Sequence, residues 1–242
     1  MSSPILQIGD FALPFEEVLP KLASYQMLPQ LVYEMVLDQA IGMIECTPEE
    51  IAIGCRQFEQ QVLNSASSAQ DDVRSFLVRY CMTPASLEAT VIRALRIEKF
   101  KEQTWGSRVE SYFLQQKFKL DQVVYRVMRV SHPEVAQELY FRISEGEGSF
   151  AALAREYSEG DEAEAVGLAG PVELGQLPSA VAQFLASAVP HQVLPPLQLK
   201  QWFVLLQLEK FIPAQLDAAM RQRLLNALFS TWIQSQIRSA LN

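Results

Sequence analysis

Few side chains in this 242-residue chain are of types that do covalent or proton-transfer chemistry, and they are scattered. There are three cysteines, Cys46, Cys55 and Cys81, and two histidines, His132 and His191. A zinc site needs about four Cys or His ligands at short, regular spacings. The thiols lie in the first third of the chain, in or beside helical apolar patterns and far from either histidine. They read as buried free thiols, and no metal site is expected. No glycine-rich phosphate loop and no Ser–His–Asp arrangement is present. Nucleotide and hydrolase chemistry therefore find no support, and no cofactor is expected. The densest polar cluster is acidic: Glu156, Glu159, Asp161, Glu162 and Glu164 fall within nine positions. It reads as a solvated face or as a patch that selects basic polypeptides.

Acids outnumber bases 28 to 20, a net charge of −8. A nucleic-acid binder would carry a basic patch or stripe, and an anionic membrane surface would select one too, so neither partner is expected. No run approaches the ~18 apolar residues of a membrane-spanning helix. Residues Met1 to Asp10 show no basic region followed by a long apolar one, so the expected location is cytoplasmic. With 49% hydrophobic residues over 242 positions, the chain can bury two cores.

The elements divide in the same way. Pro29 to Glu45 has apolar residues at helical spacing. Thr47-Pro48-Glu49-Glu50 is a helix start: a capping hydroxyl, proline at the first helical position, and carboxylates at the positive end of the dipole. That helix runs to about Leu63, a polar loop spans Asn64 to Gln70, and a short helix runs from Asp71 to Cys81. Thr83-Pro84 repeats the start signal and opens a helix to Trp105; another spans Arg108 to Lys117. Near Leu120 the texture changes. Val123 to Val130 is a β-branched strand interrupted by Arg126 and Arg129. On it, Arg126 reads as an exposed edge charge or as a groove residue. Helices follow at Glu134 to Ser144 and Phe150 to Tyr157, then a Gly/Pro-punctuated stretch, a helix from Ser179 to Ala188, and a strand over Gln201 to Leu208. Trp202 and Phe203 in that strand read as sheet packing. The order strand–helix–helix–strand–helix–strand is α+β. From Ala214 to Leu241 runs a helix with Leu216, Met220, Leu224, Leu228 and Trp232 spaced by four. Such a stripe must be buried, and the N-terminal helices offer the nearest surface. The expected division is a helical domain at 1–119, an α+β domain at 120–212, and a returning helix at 213–242. Their net charges are −4, −6 and +2.

Within the second segment, Gly148-Ser149-Phe150-Ala151-Ala152-Leu153-Ala154-Arg155-Glu156-Tyr157-Ser158 resembles the "G-x-F-x-x-L-A-x-x-Y-S" helix of the parvulin peptidyl-prolyl isomerases. Gly167-Leu168-Ala169-Gly170 sits where that family has "G-G-D-L-G", with Ala165-Val166 replacing glycines. Leu174-Gly175-Gln176-Leu177-Pro178 looks like "x-G-Q-M-x-P". Val189 to Pro196, followed by Gln201-Trp202-Phe203-Val204-Leu205, resembles the family's closing turn and strand, with His191 standing at a turn glycine. The first segment and the last helix resemble the chaperone module that flanks parvulin domains in SurA-like and trigger-factor-like foldases.

The resemblance implies a small βααβαβ domain beside a helical chaperone-like module. It implies a groove formed by Leu168, Leu177 and Val181 as apolar walls for a proline ring, together with Arg126, Phe203 and Asp161. The family's two strand histidines would fall among Tyr125, Arg126 and Val127 and on Phe203, where this chain has none. His132 and His191 map to loops. The implied function is a foldase-like chaperone or peptide-binding protein for unfolded or proline-containing polypeptides, with isomerase activity weak or lost. Two alternatives stay open: an active isomerase using other residues, and a dedicated adaptor for a secretion apparatus or its substrate.

Overall fold

The computed structural model describes residues 5–8, 11–65, 77, 83–161, 164 and 166–240. The expected helix Asp71 to Cys81, with Cys81 itself and most of the polar loop before it, lies outside the described residues, apart from position 77. The chain divides into two compact units, residues 1–109 with 221–242, and residues 110–220.

The first unit opens with an antiparallel strand pair, β1 (Ile5–Ile8) and β2 (Phe11–Pro14), and then helices α1 (Phe15–Ser24), α2 (Leu28–Ile41), α3 (Pro48–Ser65) and α4 (Pro84–Trp105). The sequence reading has no counterpart for β1, β2 or α1. The start of α3 is a reciprocal cap: Thr47 N–H donates to Glu50 Oε2 at 2.7 Å, and Glu50 N–H donates to Thr47 Oγ1 at 3.3 Å. Lys99 Nζ also reaches Glu50 Oε2, at 2.7 Å. The hydrogen bond from Lys99, then the Thr47 N–H, holds the Glu50 carboxyl below its ordinary value. Thr83 caps α4 in the same way through Ser86. Cys46 and Cys55 are half-buried free thiols.

The last helix, α9 (Ala218–Ala240), belongs to this first unit from Arg221 onward. Leu224, Leu225, Phe229 and Ile233 are its buried residues, so the buried face is turned slightly from the four-spaced stripe of the sequence reading. Trp232 still enters an aromatic cluster, with ring centroids 5.0 Å from Phe100, 5.9 Å from Trp105 and 6.0 Å from Phe229. Buried Lys101 spans the same contact, donating to Asn226 Oδ1 at 2.8 Å and to Glu98 Oε1 at 2.7 Å, with its ammonium over the Phe229 ring.

The second unit starts within helix α5 (Val109–Leu120) and contains β3 (Gln122–Val130), α6 (Pro133–Ser144), α7 (Phe150–Tyr157), β4 (Leu168–Glu173), α8 (Ser179–Ala186), β5 (Val193–Leu199) and β6 (Trp202–Ile212). The α+β class holds, with one strand more than expected, β5. The four strands form an antiparallel sheet in the order β4-β3-β6-β5. Units divide at 109/110 and 220/221, where the sequence reading divides at 119/120 and 212/213. The reason is Asp121, which is buried: it accepts from Lys117 and from Ala214 N–H, each at 2.7 Å, and its carbonyl accepts from Leu174 N–H at 2.8 Å. These bonds tie the end of α5 and the exit of β6 to the sheet. Asp217 then accepts from Met220 N–H, so α9 begins at Ala218 and not at Ala214.

Alternation along β3 separates two cores. Val123 and Tyr125 face α8, in a cluster with Leu174, Val181, Leu185, Leu206 and Leu208. Met128 and Val130 face α6 and α7, with Leu139, Phe150, Leu153, Ala154 and Leu205. The motif helix α7 is explained by this second core. Ser149 caps it by accepting from Ala152 N–H at 3.2 Å. Phe150, Leu153 and Ala154 are its buried face. Tyr157 lies under the Arg142 guanidinium, 5.7 Å from ring centroid to Cζ, and Ser158 Oγ accepts from Arg129 N–H at 3.0 Å.

Candidate functional site

Five of the six expected groove residues are divided between the two faces of the sheet, and Asp161 lies on neither. Val181, from α8, is buried against Tyr125, and Leu177 packs partly buried on the same cluster. Val127, Ala169, Leu197, Leu199 and Trp202 edge that cluster, so this face of the sheet carries an apolar core with a tyrosine in it and a partly buried apolar margin.

Leu168 does not join them, which corrects the three-walled slot of the sequence reading. In the β3–β4 register Leu168 stands opposite Arg126 and Ala169 opposite Tyr125. Directly opposed residues share a face, so Leu168 belongs with Arg126, on the side of Met128, and is half exposed. Phe203 is opposite Val130 and packs on the α6–α7 core. It is thus four positions along the ladder from the partner of Arg126, Gln207, roughly 13 Å at strand rise. Asp161 is exposed in the turn after α7, its carbonyl accepting from Glu164 N–H. Of the six residues, Leu177 and Val181 share the α8-side cluster and Arg126 and Leu168 pair on the other face, with Phe203 farther along that face and Asp161 in the turn.

Arg126 is not an edge charge, because β3 is an inner strand. Its Nε donates to Glu209 Oε1 at 2.7 Å and its Nη1 to the Val166 carbonyl at 3.1 Å. Glu209 is aimed by a bulge: Val124 pairs with Lys210 and Tyr125 with Leu208, which leaves Glu209 as the extra residue of β6. The other carboxylate oxygen of Glu209 lies 3.3 Å from His191 Nδ1. Gln207 Nε2 donates to the His191 carbonyl at 2.8 Å. The sequence reading ends this strand at Leu208 and so misses Glu209; a lone carboxylate closing the apolar run FVLLQL was the available signal. An arginine always keeps its proton, so this row is built for fixed charge and not for proton sharing at β3.

Two positions beside this row have left-handed backbone. His191 has φ 65° and Val166 has φ 54°. For a β-branched residue the left-handed region is strained by about 1–2 kcal/mol. Arg126 holds the Val166 carbonyl in that conformation. Val166→Gly should therefore raise stability by about 1 kcal/mol, after allowing for glycine's greater unfolded freedom. Urea titration of the two proteins measures it; an unchanged or lowered midpoint would show that the strain is absent.

The described members of the acidic cluster are exposed, and one of them also bonds within the chain. Glu159 Oε1 accepts from Ser131 N–H at 2.9 Å and Oγ at 3.0 Å, and its own N–H donates to the Arg129 carbonyl at 2.9 Å. Glu159 thus closes the end of β3 while itself exposed, as are Glu156, Asp161 and Glu164; Glu162 lies outside the described residues. His132 is exposed immediately before α6. Among the described residues, no three His, Cys, Asp or Glu side chains are grouped so as to hold a metal ion.

Residues 128–210 match the rotamase family, the PPIC-type PPIase domain. No curated protein sequence is a significant match. Among solved structures, the chain is similar to the peptidylprolyl isomerase PrsA from Bacillus cereus at 16% identity, with 99% of this chain and 91% of that chain covered and a TM-score of 0.51. PrsA from Bacillus anthracis is similar at 15% identity over 87% of this chain and 97% of that one, TM-score 0.47. A PpiC-type peptidyl-prolyl cis-trans isomerase domain is similar at 25% identity over 41% of this chain and 99% of that one, TM-score 0.37.

Proposed function

We propose that this chain, a helical module carrying a parvulin-type peptidyl-prolyl isomerase domain, is a foldase-like protein that holds polypeptide segments and turns prolyl bonds over slowly or not at all. The observation that carries the reading is the composition of the α8-side face. Tyr125, Val127, Leu177, Val181 and Trp202 make it apolar, and both histidines of the chain lie elsewhere.

Prolyl isomerisation crosses a barrier of ~18–20 kcal/mol set by amide resonance. A catalyst must favour the twisted amide over both planar isomers. An apolar face receives a proline ring in either isomer by the same contacts. Binding ground state and transition state equally gives affinity without acceleration. Leu177 is the accessible part of that face and Val181 its buried floor.

A protease-coupled isomerase assay on a panel of X-Pro peptides tests the reading, with peptide binding followed in parallel. The expected result is binding without turnover above background, weakened by Leu177→Ala and abolished by Val181→Asp. Turnover well above background that falls in the same variants would overturn it in favour of an active isomerase.

A further inference from the structure

We infer that the exposed methionine–leucine face of α2 docks a basic, apolar polypeptide segment. The inference rests on the reading that the chain handles polypeptides, and concerns the first unit alone. In α2, Leu37 and Ile41 are buried. Met35 points about 200° away from Leu37 at 100° per residue, and Leu31 lies one turn before Met35 on the same exposed side. Met35 is 63% exposed, Met27 at the helix start 50%, and Met43 just beyond its end 90%. Leu19 in α1 and Tyr25 just after it are exposed as well. Large exposed apolar side chains on one helix face, such as Leu31 and Met35, mark an interaction site. Methionines suit one that accepts varied sequences, because an unbranched thioether repacks readily.

Charge identifies the occupant. Between residues 14 and 65 there are eight carboxylates and two basic side chains. Glu34 and Asp38 share Arg93, and Glu50 takes Lys99. Glu45 and Glu49 stand exposed at the α2–α3 turn beside Met43 in sequence. An apolar segment flanked by Lys or Arg satisfies both the stripe and this acidic rim, as an amphipathic helix does when its apolar face is seated. An acidic segment would be repelled, and so would a second copy presenting the same rim.

The test uses the full chain and a fluorescent Leu/Lys amphipathic peptide, with a Leu/Glu twin, followed by anisotropy. The Leu/Lys peptide should bind, more weakly as salt rises. Its affinity should fall about tenfold in Leu31→Ser with Met35→Ser, and likewise in Glu45→Gln with Glu49→Gln. All four positions are exposed, and circular dichroism checks that the variants fold. Equal binding of the twin, or binding indifferent to the α2 variant, would overturn the inference. Binding lost instead in Val181→Asp would place the peptide on the parvulin-type unit, overturning this inference and leaving the proposed function intact. Failure of proline peptides alone would do the reverse. Self-association lost in the α2 variant, without peptide binding, would assign the face to a second copy and also overturn it.

Discussion

Replacing Trp105 with alanine should destabilise the first unit by about 3–5 kcal/mol. Trp105 is buried and central to the aromatic cluster, edge-on to Phe100 at 5.6 Å, to Trp232 at 5.9 Å and to Phe229 at 6.3 Å. These rings come from two segments, α4 and α9, and no one of them can collapse into the space that a lost indole leaves. The loss includes both the buried apolar area and the edge-to-face contacts. Native domains are stable by only ~5–15 kcal/mol, so this single change approaches the limit. Urea titration with hydrogen exchange across 84–109 and 221–240 measures it. A cost below about 1 kcal/mol would mean that α9 does not depend on this cluster.

Gly170→Ala should disrupt the second unit by a comparable amount. Gly170 has φ +99°, and its missing Cβ points at the backbone of β3. A methyl there would press into the Val123 carbonyl oxygen and lie 3.2 Å from Val124 Cα and from Val172 N. No flexible side-chain end is among those neighbours, so relief requires moving a central strand. Backbone strain of ~1–3 kcal/mol adds to overpacking of ~1–3 kcal/mol, about 4 kcal/mol together. The expected signature is loss of protection in β4 and of peptide binding at Leu177, with the exchange pattern of residues 84–105 unchanged. A variant with wild-type stability would show that β4 does not pair with β3 in this register.

Local chemistry was legible in the residues. Thr47-Pro48-Glu49-Glu50 announces a cap, and the structure forms one. Helix α7 is bounded as its serine and apolar spacing indicate. Strand β5 was hidden because Pro195-Pro196 sits inside it. It is an edge strand whose register slips between Leu194 and Leu197, and an edge with a bulge tolerates missing N–H donors. The groove was misassembled for a different reason. Alignment by motif gives positions along a strand but not the parity of the pleat, and a one-residue difference moves a side chain to the other face. Leu168 and Ala169 are neighbours in sequence and lie on opposite faces of the sheet. The ion pair of Arg126 depends on the bulge at Glu209, a two-strand property that neither strand's sequence displays alone.

The first unit is closed by a helix from the far end of the chain, and this sets an order of events during synthesis. Trp105 is made roughly 120 residues before Phe229 and Trp232. At ~5–20 residues per second that is about ten seconds. Throughout that interval α4 has its own aromatic face and none of the rings that cover it. All of residues 110–220 are translated within the same interval. The second unit can therefore complete its sheet while the helices of the first still wait for α9. The unit that holds α4 is completed only after residues 110–220 have been made, and its unfinished face is the one most in need of protection from other chains.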